Sequence, residues 1–275
     1  MSQMGPFKIV LTAALFGLLF TSPLSIGLVK AAYHLPHRAA ATSSQVIDRF
    51  PTIASDHLAL LIANANYPDA DGAMEDVAAG ADALAAVLRK HGFFVVVVRD
   101  ATRAGMTEVI DRLKAAARPG SAVLVYFGGF AVQSEGQNYM IPVDAKIWQE
   151  RDVRRDGVKI ESALSNLSAS LARIRIAIVD ASRRNPYERR FRSYSHGLAP
   201  VEADADTIVV TSTAPEQAFD DAGAPSNVFV NDLAAEIASS SRSVEDVLTA
   251  RAAVAAPSRQ EKEHATPAVE SNERG

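Results

Sequence analysis

The chain has 275 residues, 48% hydrophobic and 22% charged, a composition that supports one sizeable core and excludes wholesale disorder or a collagen-like repeat. A formal net charge of -4 excludes the basic footprint of a general nucleic-acid binder. Cysteine is absent, which removes disulfides, thiolate metal sites and every mechanism that begins with attack by a protein sulfur.

Residues 9–29 (IVLTAALFGLLFTSPLSIGLV) are uncharged, lie at the extreme N-terminus and are flanked by Lys8 and Lys30. This reads as an export segment. Its most apolar part, Ile9–Phe20, is short for a span and is followed by Pro23, which suits a signal peptide cleaved near residue 31. Taken whole, the stretch meets the roughly 20 residues a bilayer requires, which suits an uncleaved anchor. Residues 32–55 read as a linker, and His34 and His37 within it lack a third ligand, so no metal site is expected. The folded domain is expected over 56–254, with an irregular tail rich in Pro, Glu and Ser over 255–275.

Leu58–Ala63 is a short apolar run that predicts a strand, followed by an Asn/Pro/Asp/Gly-rich loop and a helical pattern over Glu75–His91. Gly92 stands where a C-cap would be, and His91 in the last turn is explained by the negative end of the helix dipole. A strand over Phe93–Val98, a helix over Thr107–Ala117 and a strand over Ala122–Phe127 follow. Then come a helix over Ile160–Leu171, strands over Ile174–Val179 and Thr207–Thr211, and a helix over Val228–Ala238. This alternation predicts an α/β fold with a mainly parallel sheet covered on both faces. Charge is blocked along the chain: residues 146–192 hold 12 Lys/Arg against 6 Asp/Glu, while residues 201–236 hold 8 acids and no base. Solvated faces explain such blocks, although they could also attract one another or line a charged pocket.

In open α/β sheets, ligands bind beyond the carboxyl ends of the strands. Two such ends stand out: Gly128-Gly129-Phe130-Ala131 after one strand, and Asp180-Ala181-Ser182-Arg183-Arg184 after another. Gly128 and Gly129 would let backbone N–H groups approach a ligand closely. Asp180 suits either hydrogen bonding to neighbouring backbone or ligand contact in the cleft, and Arg183 and Arg184 suit either solvent or paired recognition of an anion. The GxGxxG and P-loop spacings are both absent, so no nucleotide and no other cofactor is expected. Residues 188–193, with arginines at 189, 190 and 192, form a basic loop open to proteolytic nicking.

With those strand ends in hand, the chain resembles the caspase and metacaspase-like cysteine peptidases, specifically the bacterial caspase-domain proteins. The resemblance runs through LALLIANANY (58–67), LRKHGF (88–93), LVYFGGFAVQSEGQNYMIPVDA (124–145), IAIVDASRRNPY (176–187), GLAPVEA (197–203), TSTAPEQ (211–217) and SNVFVNDL (226–233), and fades near TPAVES (266–271). It implies a caspase-like three-layer sandwich. It also implies that a Gly-His-Gly triplet, whose His is the general base and acid, aligns with Gly129-Phe130-Ala131. The family's Asp-Ala-Cys-Arg, whose Cys is the nucleophile, aligns with Asp180-Ala181-Ser182-Arg183. An Asn-Asp pair that belongs to the family's substrate rim aligns with Ala79-Gly80. Phe130 can neither accept nor deliver a proton, and the hydroxyl of Ser182 needs an adjacent base before it attacks an amide.

The resemblance therefore implies a pseudopeptidase: the scaffold of a cysteine endopeptidase without its dyad, serving as a binding or regulatory module. Its partner would be a peptide or a protein, one candidate being a catalytically intact relative. As a bacterial protein with an export segment it would be periplasmic, or anchored in the inner membrane and facing the periplasm. Two alternatives stand beside this reading. One is a hydrolase that uses Ser182 with a relocated base such as His196; the other is a structural envelope protein.

Overall fold

The computed structural model describes residues 55–68, 74–181, 186–191, 197–201, 203–204, 206–212 and 227–255. The export segment, most of the linker, the tail beyond residue 255, and Ser182, Arg183, Arg184 and His196 lie outside the described residues. Among the described residues, no helix is long and apolar enough to cross a membrane.

In chain order the elements are β1 (His57–Ala63), α1 (Glu75–Lys90), β2 (Phe94–Arg99), α2 (Arg103–Ala116), β3 (Ala122–Gly128), β4 (Ala131–Ser134) and β5 (Gln137–Met140). They continue with α3 (Glu150–Asp156), β6 (Val158–Lys159), α4 (Ile160–Ser168), β7 (Ile174–Asp180), a 3-10 turn (Glu188–Arg190), β8 (Thr207–Thr211), α5 (Val228–Ser239) and α6 (Val244–Ala255). Five strands form one sheet in the order β2-β1-β3-β7-β8, every pair parallel.

The strands are apolar almost throughout because both faces are covered. Leu58, Leu60, Ile62, Val123, Val125 and Phe127 pack on Met106, Val109, Ile110 and Leu113 of α2 and on Ile160, Leu164 and Leu167 of α4. The alternate residues Ala59, Leu61, Leu124, Tyr126, Ile176 and Ile178 pack on α1, α5 and α6. This period-two division of side chains between two cores is the three-layer sandwich expected from the sequence.

Several element ends differ from the sequence reading, each for a local reason. Helix α2 begins at Arg103, earlier than expected, because Thr102 caps it: the Gly105 N–H donates to Thr102 Oγ1 at 3.1 Å. Helix α1 stops at Lys90, with the His91 N–H donating to the Val87 and Leu88 carbonyls and Gly92 at φ +84°. Helix α4 ends at Ser168, which leaves Leu171 65% exposed. Strand β2 starts one residue later than expected, at Phe94.

A small antiparallel sheet, β4-β5-β6, was not foreseen; strands of two to four residues carry too little alternation to read. Its β4–β5 turn is a two-residue loop, Glu135-Gly136, with φ +51° and +72°, the pair of left-handed residues that matches the twist of a hairpin. Helices α3 and α6 were also unforeseen. Gly80 proves to be a packing position: a Cβ there would fall on the Val230 side chain, so the glycine is what lets α1 approach α5. The basic and acidic blocks meet where Arg175 faces Asp206 at 3.4 Å.

Candidate functional site

Parallel register brings three strand ends into one row: Ala63 lies beside Gly128, and Gly128 beside Asp180. The backbone just beyond is tied across the row. The Asn64 N–H donates to the Gly128 carbonyl at 2.9 Å, and the Gly129 N–H to the Asp180 carbonyl at 3.4 Å. Glycine is required both at the end of β3 and just after it. A Cβ at Gly128 would lie 2.9 Å from Val77 Cγ1 and against the Tyr126 ring. Gly129 has φ +155°, and a Cβ on it would lie 2.5 Å from the Tyr67 hydroxyl.

Three polar residues hold this edge, Asn64 and Tyr67 from the loop after β1 and Asp100 from the loop after β2. Asn64 is fully buried; its Oδ1 accepts from the Ala101 N–H at 2.8 Å and its Nδ2 donates to the Ile141 carbonyl at 3.2 Å. Asp100, at φ +50°, accepts the N–H groups of Ala65 and Asn66 on Oδ1, both at 2.9 Å, and fixes the turn of that loop. Tyr67 is buried, and its hydroxyl accepts from the Phe130 N–H at 3.0 Å while donating to the Ile141 carbonyl at 3.1 Å. Burial raises the Tyr67 phenol well above its ordinary range, against a lowering by the Phe130 N–H, so it stays a neutral donor and acceptor.

Phe130 is half-buried, with its ring centroid 4.9 Å from that of Tyr67 at 56°. It joins the apolar cluster of Tyr67, Val132, Ile141, Val143 and Tyr187. The amides of residues 129 and 130 thus already have acceptors inside the protein, and the side chain between the strand ends is a packed ring. Asp180 is 3% exposed and accepts from the Tyr126 hydroxyl at 3.4 Å. Among the described residues the histidines are His57 and His91. His57 opens β1, and His91 lies between α1 and β2, so both belong to the opposite, amino edge of the sheet. Also among the described residues, no group of three or more His, Asp or Glu is placed to hold a metal ion.

The structure therefore brings Gly128, Gly129, Phe130 and Asp180 together, while Ser182 and Arg183, just beyond Asp180 in the chain, lie outside the described residues. Of the basic loop, Arg190 is stacked 5.2 Å from the Trp148 ring and 5.4 Å from the Tyr187 ring, and donates to the Ile147 carbonyl at 2.6 Å. Asn64, Tyr67, Asp100 and Tyr126 were not singled out from sequence as site residues. The available signal was the polar NANY run directly after a fully apolar strand.

A family model described as "Caspase domain" matches residues 56–274. Among solved structures, the Drosophila initiator caspase Dronc is similar at 10% identity and a TM-score of 0.48, with 71% of this chain and 70% of that chain covered. No curated protein matches.

Proposed function

The chain belongs to the caspase-domain family, and we propose that it is a pseudopeptidase of that family, an exported or membrane-anchored binding or regulatory module that does not cleave peptide bonds. One observation carries this reading. The position that aligns with the family's general base is Phe130, and its ring is packed on Tyr67 in an apolar cluster. No sulfur nucleophile can compensate, because the chain contains no cysteine. A serine at the nucleophile position would need a base to remove its proton, and the described histidines belong to the far edge of the sheet.

The frame of the strand ends is held independently of any catalytic side chain. Asn64, Tyr67 and Asp100 hold the strand ends through backbone groups, so a peptide-binding surface can outlast the loss of turnover. We assign it a peptide or protein partner, a catalytically intact relative being one candidate, and a periplasmic location, free or anchored in the inner membrane, on the strength of residues 9–29.

The test is hydrolysis of a mixed peptide library and of ester substrates by the purified chain, with Ser182→Ala as control. The expected result is no turnover above that control; turnover lost in Ser182→Ala would overturn the proposal. Replacing Phe130→His and Ser182→Cys together should restore measurable cleavage, because Phe130 and Asp180, two residues before position 182, follow and end adjoining paired strands.

A further inference from the structure

Uncompensated positive charge surrounds the chain's single tryptophan. Trp148 is 67% exposed, yet its position is fixed from both sides. Ile147 before it is fully buried in the apolar cluster on which Phe130 packs. The N–H groups of Trp148 and Gln149 both donate to Asp152 Oδ2 at 3.1 Å, and Asp152 is itself buried. The Arg190 guanidinium, stacked on the indole and on the ring of the buried Tyr187, is tied to the same loop through the Ile147 carbonyl. A large apolar ring held this way in water has little freedom left to lose when something packs on it. Tryptophan and arginine are also the side chains that dominate binding energy at interfaces.

The acids nearby are already engaged. Asp152 and Asp156 pair with Arg155 at 2.7 Å, Glu135 pairs with Arg154 at 2.9 Å, and Glu150 Oε1 accepts from Ser134 Oγ at 3.0 Å. Lys146, Arg151 and Arg189 are exposed and form no ion pair among the described residues; Arg151 lies against the neutral side-chain amide of Gln149. Lys146 and Arg151 flank Trp148 in the chain, and Arg189 is brought to the same place by its neighbour Arg190. A patch of one indole and several cations fits an anionic peptide better than a bilayer, because membrane binding scales with the apolar area inserted. Among the described residues, the other exposed large apolar side chains, Phe94, Leu171 and Val228, belong to β2, to the segment after α4 and to α5.

We propose that Trp148 and the cations around it form a docking surface for an acidic peptide segment of a protein partner, one that carries an apolar side chain between its carboxylates. The apolar side chain packs on the indole, and the carboxylates pair with Lys146, Arg151 and Arg189. Charge complementarity of this kind sets the choice of partner and speeds the encounter. The surface is built by the loop before α3 and by the 3-10 turn, not by the strand ends, so the inference holds whether or not the chain hydrolyses peptides.

Because Trp148 is the one tryptophan, its emission reports the surface directly. The purified full chain is titrated with capped Ala-Asp-Phe-Asp-Asp-Ala, with its neutral counterpart capped Ala-Asn-Phe-Asn-Asn-Ala, and with phosphatidylglycerol vesicles. The expected result is a saturable change in emission with the acidic peptide, an affinity at least about tenfold lower for the neutral one, and weakening as salt is added. Arg151→Gln combined with Arg189→Gln should weaken the acidic peptide by about fivefold. Trp148→Ala, followed by calorimetry, should weaken it by at least about tenfold. The proposal is overturned by absence of saturation at millimolar peptide, by equal binding of the neutral peptide, or by vesicles that shift the emission while the acidic peptide does not. Emission that changes with protein concentration alone also overturns it, since a second copy of the chain would then occupy the surface. All of these refuting results use the unmodified chain and do not depend on how a variant folds.

Discussion

Tyr67→Phe removes one oxygen and tests the account of how the strand ends are held. In the native protein that oxygen accepts from the Phe130 N–H at 3.0 Å and donates to the Ile141 carbonyl at 3.1 Å, both inside the protein. The two losses are unequal. Ile141 keeps a second donor, Asn64 Nδ2 at 3.2 Å, whereas the Phe130 N–H has no other partner in the described structure. Two net hydrogen bonds at about 1 kcal/mol each, with a further penalty only for the half-buried amide, give a loss of about 2–3 kcal/mol. For a domain of about 200 residues this lowers Tm by about 4–12 °C.

Urea unfolding of the purified chain measures it: the midpoint should fall while the slope stays constant. Above pH 10 the comparison should narrow. Burial holds the Tyr67 phenol above its ordinary value of 10.0, so its contribution is fully present below pH 10. It is lost as pH rises further, because the unfolded phenol ionises while the folded one does not. Tyr67→Phe lacks that alkaline component. A stability change under about 0.5 kcal/mol, or an alkaline limb identical in both proteins, would refute the role given to this hydroxyl.

Gly129→Ala should destabilise by at least about 2 kcal/mol, because φ +155° is unfavourable for a Cβ that would also press on the Tyr67 hydroxyl; a denaturation midpoint unchanged from the parent would show that the strand end yields freely. Gly80→Ala should also destabilise, even though alanine favours a helix interior by about 1 kcal/mol. The added methyl falls on Val230, so Gly80→Ala with Val230→Ala should show a favourable coupling in a double-mutant cycle. The Asp156 carboxyl is lowered below its ordinary 3.8, first by the Arg155 guanidinium at 2.7 Å and, against some desolvation, by the Lys146 N–H at 3.0 Å. Its stabilisation is therefore present above pH 3.8 and lost as pH falls through the lowered value, and Asp156→Asn should flatten the acid limb of a stability–pH curve.

The sheet was legible because its strands are buried on both faces, and runs such as LALLIA and FFVVVV have no other economical fate. Gly92 was legible as a helix terminator for a similar reason: a left-handed residue after a helical pattern leaves a local signature. What failed to read was short or long-range. The β4–β5–β6 sheet depends on pairing between residues that alternate too briefly to announce themselves, and α6 carries alanines around much of its circumference. Gly80 looked like a lost rim residue because sequence shows only that polarity is missing; Val230, 150 positions on, supplies the packing reason. Asn64 and Tyr67 sat in plain sight in NANY, but their partners, Ala101, Phe130 and Ile141, belong to other loops.

On the pseudopeptidase reading proposed above, that division also explains how a caspase-like scaffold keeps its shape without the dyad. The hydrogen bonds that fix the strand ends end on backbone atoms of residues 65, 66, 101, 128, 130 and 141 and on the side chains of Asn64, Tyr67 and Asp100. None of them uses the side chain at position 130. An imidazole there would serve a reaction and not this frame, and the phenyl ring that is present makes an aromatic contact with Tyr67 worth about 0.5–1.5 kcal/mol. Without an imidazole, a nucleophile at position 182 also lacks the acid that protonates the leaving amine, so neither a thiol nor a hydroxyl there would complete the family's reaction. On the proposed reading, the absence of both groups leaves the frame of the strand ends in place, because that frame is held by Asn64, Tyr67 and Asp100.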